Sequence, residues 1–146
     1  KDFNTELIIL QFGGNSVPYF KDSSEVRGFA ARFQAQLQAF QRLRPAAAIL
    51  VIGPSDMSRY NGGIYETYPY LPYCVEQMRK AADNADAGYW DLYGAMGGIN
   101  SMPAWVEKGL AGKDYIHFTP NGSSIASQLF YDTFETELAR WKQKIK

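Results

Sequence analysis

Residues 7–16 read LIILQFGGNS. Five of the first six, Leu7 to Phe12, are apolar, which predicts a β-strand buried on both faces. The glycine pair that follows turns the chain where such a strand would end. From Asp22 the period changes: Val26, Phe29, Ala30, Phe33, Leu37, Phe40 and Leu43 recur at three- and four-residue steps and share one helix face. Asp22 with Glu25 three residues later resembles an N-terminal capping pair, and Pro45 closes the helix. A second buried-strand run, AAAILVIG at 46–53, comes next. Strand, helix, strand in this order predicts a parallel pair joined by a crossover.

The remaining segments extend the pattern. PSDMS is a loop, and Ser58 to Pro69 (SRYNGGIYETYP) reads as a long surface loop rich in glycine and tyrosine. Leu71 to about Ala82 is helical. GYWDLYGAM, Gly88 to Met96, is expected as a third strand running into a second long loop, Gly97 to Lys113, with a short helix around Pro103 to Lys108. The last helix starts near Thr119-Pro120, since threonine caps well and proline suits the first helical position. Its apolar stripe runs through Ile125, Leu129, Phe130, Phe134, Leu138 and Trp141. The order β-α-β-α-β-α gives an α/β fold class with a parallel sheet, and residues 1–146 are expected to form one domain without repeats or linkers. Ligands of such sheets bind outside the carboxyl ends of the strands. GGNS, GPSDMS, the loop from Gly94 and the segment carrying Asp114 and His117 are all expected at that edge.

Composition narrows the function. Fifteen basic residues balance fifteen acidic ones, so no basic cluster offers a footprint for nucleic acid or an anionic membrane. LIIL and AAAILVIG are far too short to span a bilayer. Cys74 is the single cysteine, so no internal disulfide forms. One histidine and one cysteine are too few soft ligands for a zinc cluster, and neither a metal nor another cofactor is expected. The glycine-rich loops that cradle nucleotide phosphates are absent. The first residues, KDFNTE, carry no signal-peptide pattern and lead at once into a strand.

The single histidine lies in DYIHFTPNG, residues 114–122. A serine hydroxyl used as a nucleophile needs an imidazole to take its proton and a carboxylate to fix the imidazole tautomer. An aspartate three residues before His117 can reach the ring nitrogen facing away from such a nucleophile. The alternative is a capping histidine beside an unrelated aspartate. In Gly13-Gly14-Asn15-Ser16 the asparagine amide is a suitable oxyanion donor, or the segment is a plain turn. Ser55 sits at a strand end, yet it lacks the G-x-S-x-G elbow of a strained nucleophile turn, which points to a wall of the cleft. Tyr60, Tyr65, Tyr68, Tyr70 and Tyr73, with Trp90 and Trp105, either stack on sugar faces or pack the loops on themselves.

Taken together, these segments resemble the SGNH (GDSL-type) hydrolases. Gly13-Gly14-Asn15 is similar to their G-x-N block, and Asp114-Tyr115-Ile116-His117 is similar to their D-x-x-H block. The stretch WDLYGAMGGINSMPAWVEKGLAGKDYIHFTPNG, residues 90–122, further resembles the peptidoglycan O-acetylesterase and related carbohydrate-esterase branch. The resemblance implies a flavodoxin-like three-layer α/β/α fold. It makes Asn15 the oxyanion donor, His117 the general base and Asp114 its orienting acid; Gly14, Ser55, Tyr65 and Trp105 are further candidate substrate contacts. It also implies an acylated glycan as substrate and a secreted or periplasmic location. The chain departs from the pattern at its start: the family's serine block precedes the G-x-N strand, and no residue before Asn15 is a serine. The likeness runs from about Thr5 to the end and covers only the later part of the family domain. The nucleophile and the first strands are therefore expected in a segment upstream of Lys1, which leaves apolar surface on this chain. The alternatives are a carbohydrate-binding remnant that has lost its nucleophile and, last, a flavodoxin-like ligand or scaffold domain with incidental motifs.

Overall fold

The computed structural model describes residues 4–144. In chain order they form β1 (Leu7–Gln11), α1 (Ser23–Leu43), β2 (Ala48–Ile52), β3 (Ser58–Asn61), β4 (Ile64–Thr67), α2 (Leu71–Asn84), β5 (Gly88–Trp90), α3 (Leu92–Met96), α4 (Ser101–Glu107) and α5 (Pro120–Lys144). Strands β1, β2 and β5 make a parallel sheet in that spatial order, as the strand–helix alternation predicts. The register pairs Ile8 with Ile49, Leu10 with Val51 and Val51 with Tyr89. These residues share one sheet face, where they meet Val26, Phe33 and Leu37 of α1 and Leu71, Cys74, Val75 and Met78 of α2. Leu37 and Met78 are fully buried, and burying each such side chain stabilises by about 1.5–3 kcal/mol. Helix α1 opens as its sequence indicates: the Asp22 carboxylate accepts from the amides of Ser24 and Glu25. Glu25 instead turns back to accept from the Lys21 amide.

The opposite face is covered unevenly. Trp90 packs edge-on against Phe130 of α5, with ring centroids 5.0 Å apart, and its indole N–H reaches Thr133 Oγ1 at 3.4 Å. Trp90, Leu92, Met96, Met102, Trp105 and Ala111 form a second core beneath α5. Toward β1 that cover runs out. Leu7 and Ile9 are 47% and 50% exposed, and Phe12 is 46% exposed. The expectation of a strand buried on both faces is thus corrected: β1 is an edge strand with one packed face. The α5 stripe is likewise only partly used, since Ile125, Phe134 and Trp141 remain exposed.

Three local readings also change. Ser58 to Pro69 is not a loop but the antiparallel hairpin β3–β4, which pairs Ser58 with Thr67 and Tyr60 with Tyr65. Gly62 and Gly63 turn it with φ of +57° and +103°, the backbone region glycine favours. The third strand stops at Trp90, because the Asp91 carboxylate accepts from the Gly94 amide and starts α3. The short helix in the second long loop begins at Ser101, two residues before the expected Pro103.

Candidate active site

His117 and Asp114 lie in the loop between α4 and α5, and the loop is built around the aspartate. Oδ1 of Asp114 accepts from the backbone amides of Ile116 at 3.0 Å and His117 at 3.1 Å. Oδ2 lies 2.8 Å from His117 Nδ1. The hydrogen bond from the His117 ring, followed by the two amides, holds the Asp114 carboxyl at about 2, below its ordinary 3.8. A carboxylate acceptor assigns the proton to Nδ1 and leaves Nε2 with a lone pair. Among the described residues Nε2 takes no hydrogen bond, and the imidazole is 80% exposed. The arrangement can accept a proton at Nε2 while Asp114 stabilises the imidazolium.

Reaching this geometry requires an unusual backbone. Tyr115 has φ of +58°, a left-handed conformation that costs a residue with a Cβ about 1–2 kcal/mol. Its surroundings hold it there. The Ser58 amide at the start of β3 donates to the Tyr115 carbonyl at 2.9 Å, and the Tyr115 amide donates to the Gly112 carbonyl. The Tyr115 ring stacks on Tyr65 of β4, with centroids 3.5 Å apart and planes within 6°. Beyond His117, Thr119 bonds the Gly109 carbonyl and accepts from the Gly122 amide at 3.2 Å, which starts α5.

Gly14, Asn15 and Ser55 come together at a groove of about 590 Å³ at the carboxyl end of β1, with Phe12, Gly13, Arg32 and Pro54 among its other walls. Gly13 enters the turn at φ of +102°, a backbone region that favours glycine, and a Cβ there would also press on Met78 Sδ. The Asn15 side chain stands in a short 3-10 helix, Gly14–Tyr19, and is exposed. Asp114 pairs with His117, while Gly14, Asn15 and Ser55 share a groove. Tyr65 braces the histidine loop. Trp105 is corrected from substrate contact to core: it is 7% exposed, donates its indole N–H to the Met96 carbonyl, and packs on Phe118.

The residue that sequence reasoning missed is Asp56. It is fully buried at the end of the β2 loop. Oδ1 accepts from Thr67 Oγ1 at 2.8 Å, and Oδ2 accepts from the Met102 amide at 2.7 Å and Ser101 Oγ at 3.3 Å. Burial pushes its carboxyl up, against the opposing pull of those donors. Asp56 thereby caps α4 from outside the helix and ties it to the end of β4. Asn100 reinforces the link, accepting from the Thr67 amide and donating its own amide to Thr67 Oγ1. Nothing in a lone S-D dipeptide marks a carboxylate for burial. Among the described residues no cluster of three metal-ligating side chains occurs, and no helix is long and apolar enough to cross a membrane.

Comparison with known proteins agrees with this architecture. A solved structure of a peptidoglycan O-acetylesterase matches with a TM-score of 0.80 at 29% sequence identity, over 92% of this chain and 38% of that one. The chain therefore spans less than half the length of that relative. No curated protein matches. The family model for GDSL-like lipases and acylhydrolases matches residues 1–130. Together with a parallel α/β sheet of this topology, that match means the chain belongs to the GDSL-like lipase/acylhydrolase family.

Proposed function

We propose that the chain is the histidine-bearing part of a serine esterase that removes O-acyl groups, acetyl above all, from a carbohydrate such as the glycan of peptidoglycan. The observation that carries this reading is the His117–Asp114 pair, closed at 2.8 Å on Nδ1 and open at Nε2. In the proposed reaction a serine from a segment upstream of Lys1 attacks the ester carbonyl and gives its proton to His117 Nε2. The Asn15 amide stabilises the oxyanion of the tetrahedral intermediate. Collapse breaks the bond to the sugar oxygen, which leaves with the proton from His117. Water then attacks the acyl-serine with the same base and releases the free acid. The substrate class rests on the esterase relative and the resemblance of residues 90–122, and it implies an extracytoplasmic location.

The exposed Leu7 and Ile9, together with the groove at the end of the edge strand β1, are what a nucleophile-bearing segment would cover. Fluorophosphonate labelling with peptide mapping tests the assignment on the protein extended upstream of Lys1. The expected adduct is on an upstream serine, and it is lost in His117→Ala. An adduct on Ser55 or Ser16 would overturn the placement of the nucleophile. No adduct, with acetylated-glycan binding unaffected by His117→Ala, would replace the esterase with a carbohydrate-binding module.

A further inference from the structure

The β3–β4 hairpin has no part in the parallel sheet, yet its contacts lead to the histidine loop. It is fastened at its base: Thr67 bonds buried Asp56 and, at the start of α4, Asn100, while the Tyr68 amide extends the hairpin ladder by donating to the Met57 carbonyl. From that base it reaches Tyr115 twice, through the Ser58 amide on the Tyr115 carbonyl and through the Tyr65 ring stacked on the Tyr115 ring. Tyr115 is the residue between Asp114 and Ile116, and its left-handed backbone lets one carboxylate oxygen accept from both following amides while the other meets Nδ1.

We propose that the hairpin is a positioning device for the general base, in which Tyr65 clamps Tyr115 in its left-handed conformation and so holds the Asp114–His117 bond closed. The proposal rests on the esterase reading and deepens it. It gives Tyr65 a role through Tyr115 in place of a direct contact with substrate. A residue that relaxes toward ordinary dihedrals once the ring stack is gone carries the Asp114 carboxylate away from Nδ1. The proton is then no longer held on that nitrogen, and Nε2 loses its fixed lone pair. Tyr60 packs edge-on against Tyr65, with ring centroids 5.3 Å apart.

The test uses the protein extended upstream of Lys1 and reads the imidazole directly. The 15N spectrum of His117, identified by its disappearance in His117→Gln, separates an Nδ1–H tautomer from a mixture. Tyr65→Ala is expected to turn a single Nδ1–H tautomer into a mixture and to lower kcat by up to about a hundredfold, as misplacement by an ångström does. KM is expected to stay within about twofold. Tyr65→Phe keeps the ring and is expected to restore both readouts. Tyr65→Leu keeps an apolar side chain without a flat ring and is expected to behave as the alanine variant. A pure Nδ1–H tautomer in the alanine or leucine variant would overturn the proposal, as would loss of kcat in the phenylalanine variant. The spectrum requires no turnover. Absence of esterase activity in the protein extended upstream of Lys1 sinks the functional reading, while the tautomer still decides the role of the hairpin.

Discussion

Removing the Asp56 carboxylate isolates the link between β4 and α4. In Asp56→Ala the Met102 amide and the Thr67 hydroxyl lose acceptors at 2.7 and 2.8 Å, in a region where Asp56, Thr67 and Ser101 are all buried. Thr67 Oγ1 already accepts from the Asn100 amide, so its proton has no other described acceptor. Each orphaned buried donor costs about 1–3 kcal/mol. The Ser101 hydroxyl, at 3.3 Å, is the weakest of the three bonds and is free to rotate, so it adds little. Against this stands relief from burying a carboxylate, whose raised pKa shows that burial outweighs its donors. The net loss, two donor costs less that relief, is expected to be about 3 kcal/mol. In urea, with a slope of about 1.5 kcal/mol/M, the unfolding midpoint should fall by about 2 M. A loss under about 1 kcal/mol would refute the reasoning, because it would mean that the desolvation cost cancels the whole network. Asp56→Asn should cost less, since the introduced amide oxygen still accepts from Met102. Its deficit should widen at acid pH, because a raised folded-state pKa lets Asp56 protonate above the ordinary 3.8 and shed the burial cost, which stabilises the unmodified protein alone.

Three further outcomes follow from the site and its supports. Asp114→Asn should lower kcat by about 10⁴ with little change in KM, measured on an acetylated sugar, because the wrong imidazole tautomer then faces the nucleophile. Asp114 has a folded-state pKa of about 2, below its ordinary 3.8, so its contribution to stability is full above 3.8 and is lost as pH falls through about 2. Acid titration by circular dichroism should therefore show the gap between the unmodified protein and Asp114→Asn closing across that window, and a gap that widens there would contradict the sign. Gly122→Ala should lower the melting temperature even though helix propensity alone favours alanine by about 1 kcal/mol. A Cβ at 122 would overlap the Leu110 carbonyl, and overpacking of this kind costs about 1–3 kcal/mol. A rise in melting temperature would show that α5 can lift away from that carbonyl freely.

The strands and long helices were legible because their signals are local. The Leu7 and Ala46 runs, the three- and four-residue steps from Val26, and Asp22 as a cap each depend on residues within a turn or two of one another. The Asp114–His117 pair was legible for the same reason, since three residues of loop bring the carboxylate to Nδ1. Burial of the Leu7 run was misjudged because a continuous apolar stretch states a preference, whereas cover depends on what other segments supply. The hairpin was missed although N-G-G between short β-prone runs is a turn signal, because its tyrosines were weighed as a loop composition and not as a period-two pattern. Asp56 and Tyr115 could not be read at all. Their roles arise from partners 11 to 57 residues away, such as Thr67, Met102, Tyr65 and Ser58, and no local spacing encodes those.

The unevenness of the sheet bears on how the site is completed. Its packed face is closed by α1 and α2, and its other face is closed only near β5, where α5 lies over Trp90. The open part, around Leu7 and Ile9, belongs to the strand that ends in the Gly14–Asn15 groove. Under the proposed function, a segment that adds a strand beside β1 brings its carboxyl end to that groove, because neighbouring parallel strands end on the same side of the sheet. The nucleophile it carries then arrives next to the oxyanion donor, while a helix accompanying that strand lies over the apolar face. Each of Leu7 and Ile9 so covered stabilises the joined sheet by up to about 1.5–3 kcal/mol, less the part already buried. Assembly of the active site and completion of the core are on this account one event: a protein that has not docked the segment has neither a closed sheet nor a nucleophile, and His117 does no chemistry until both are in place.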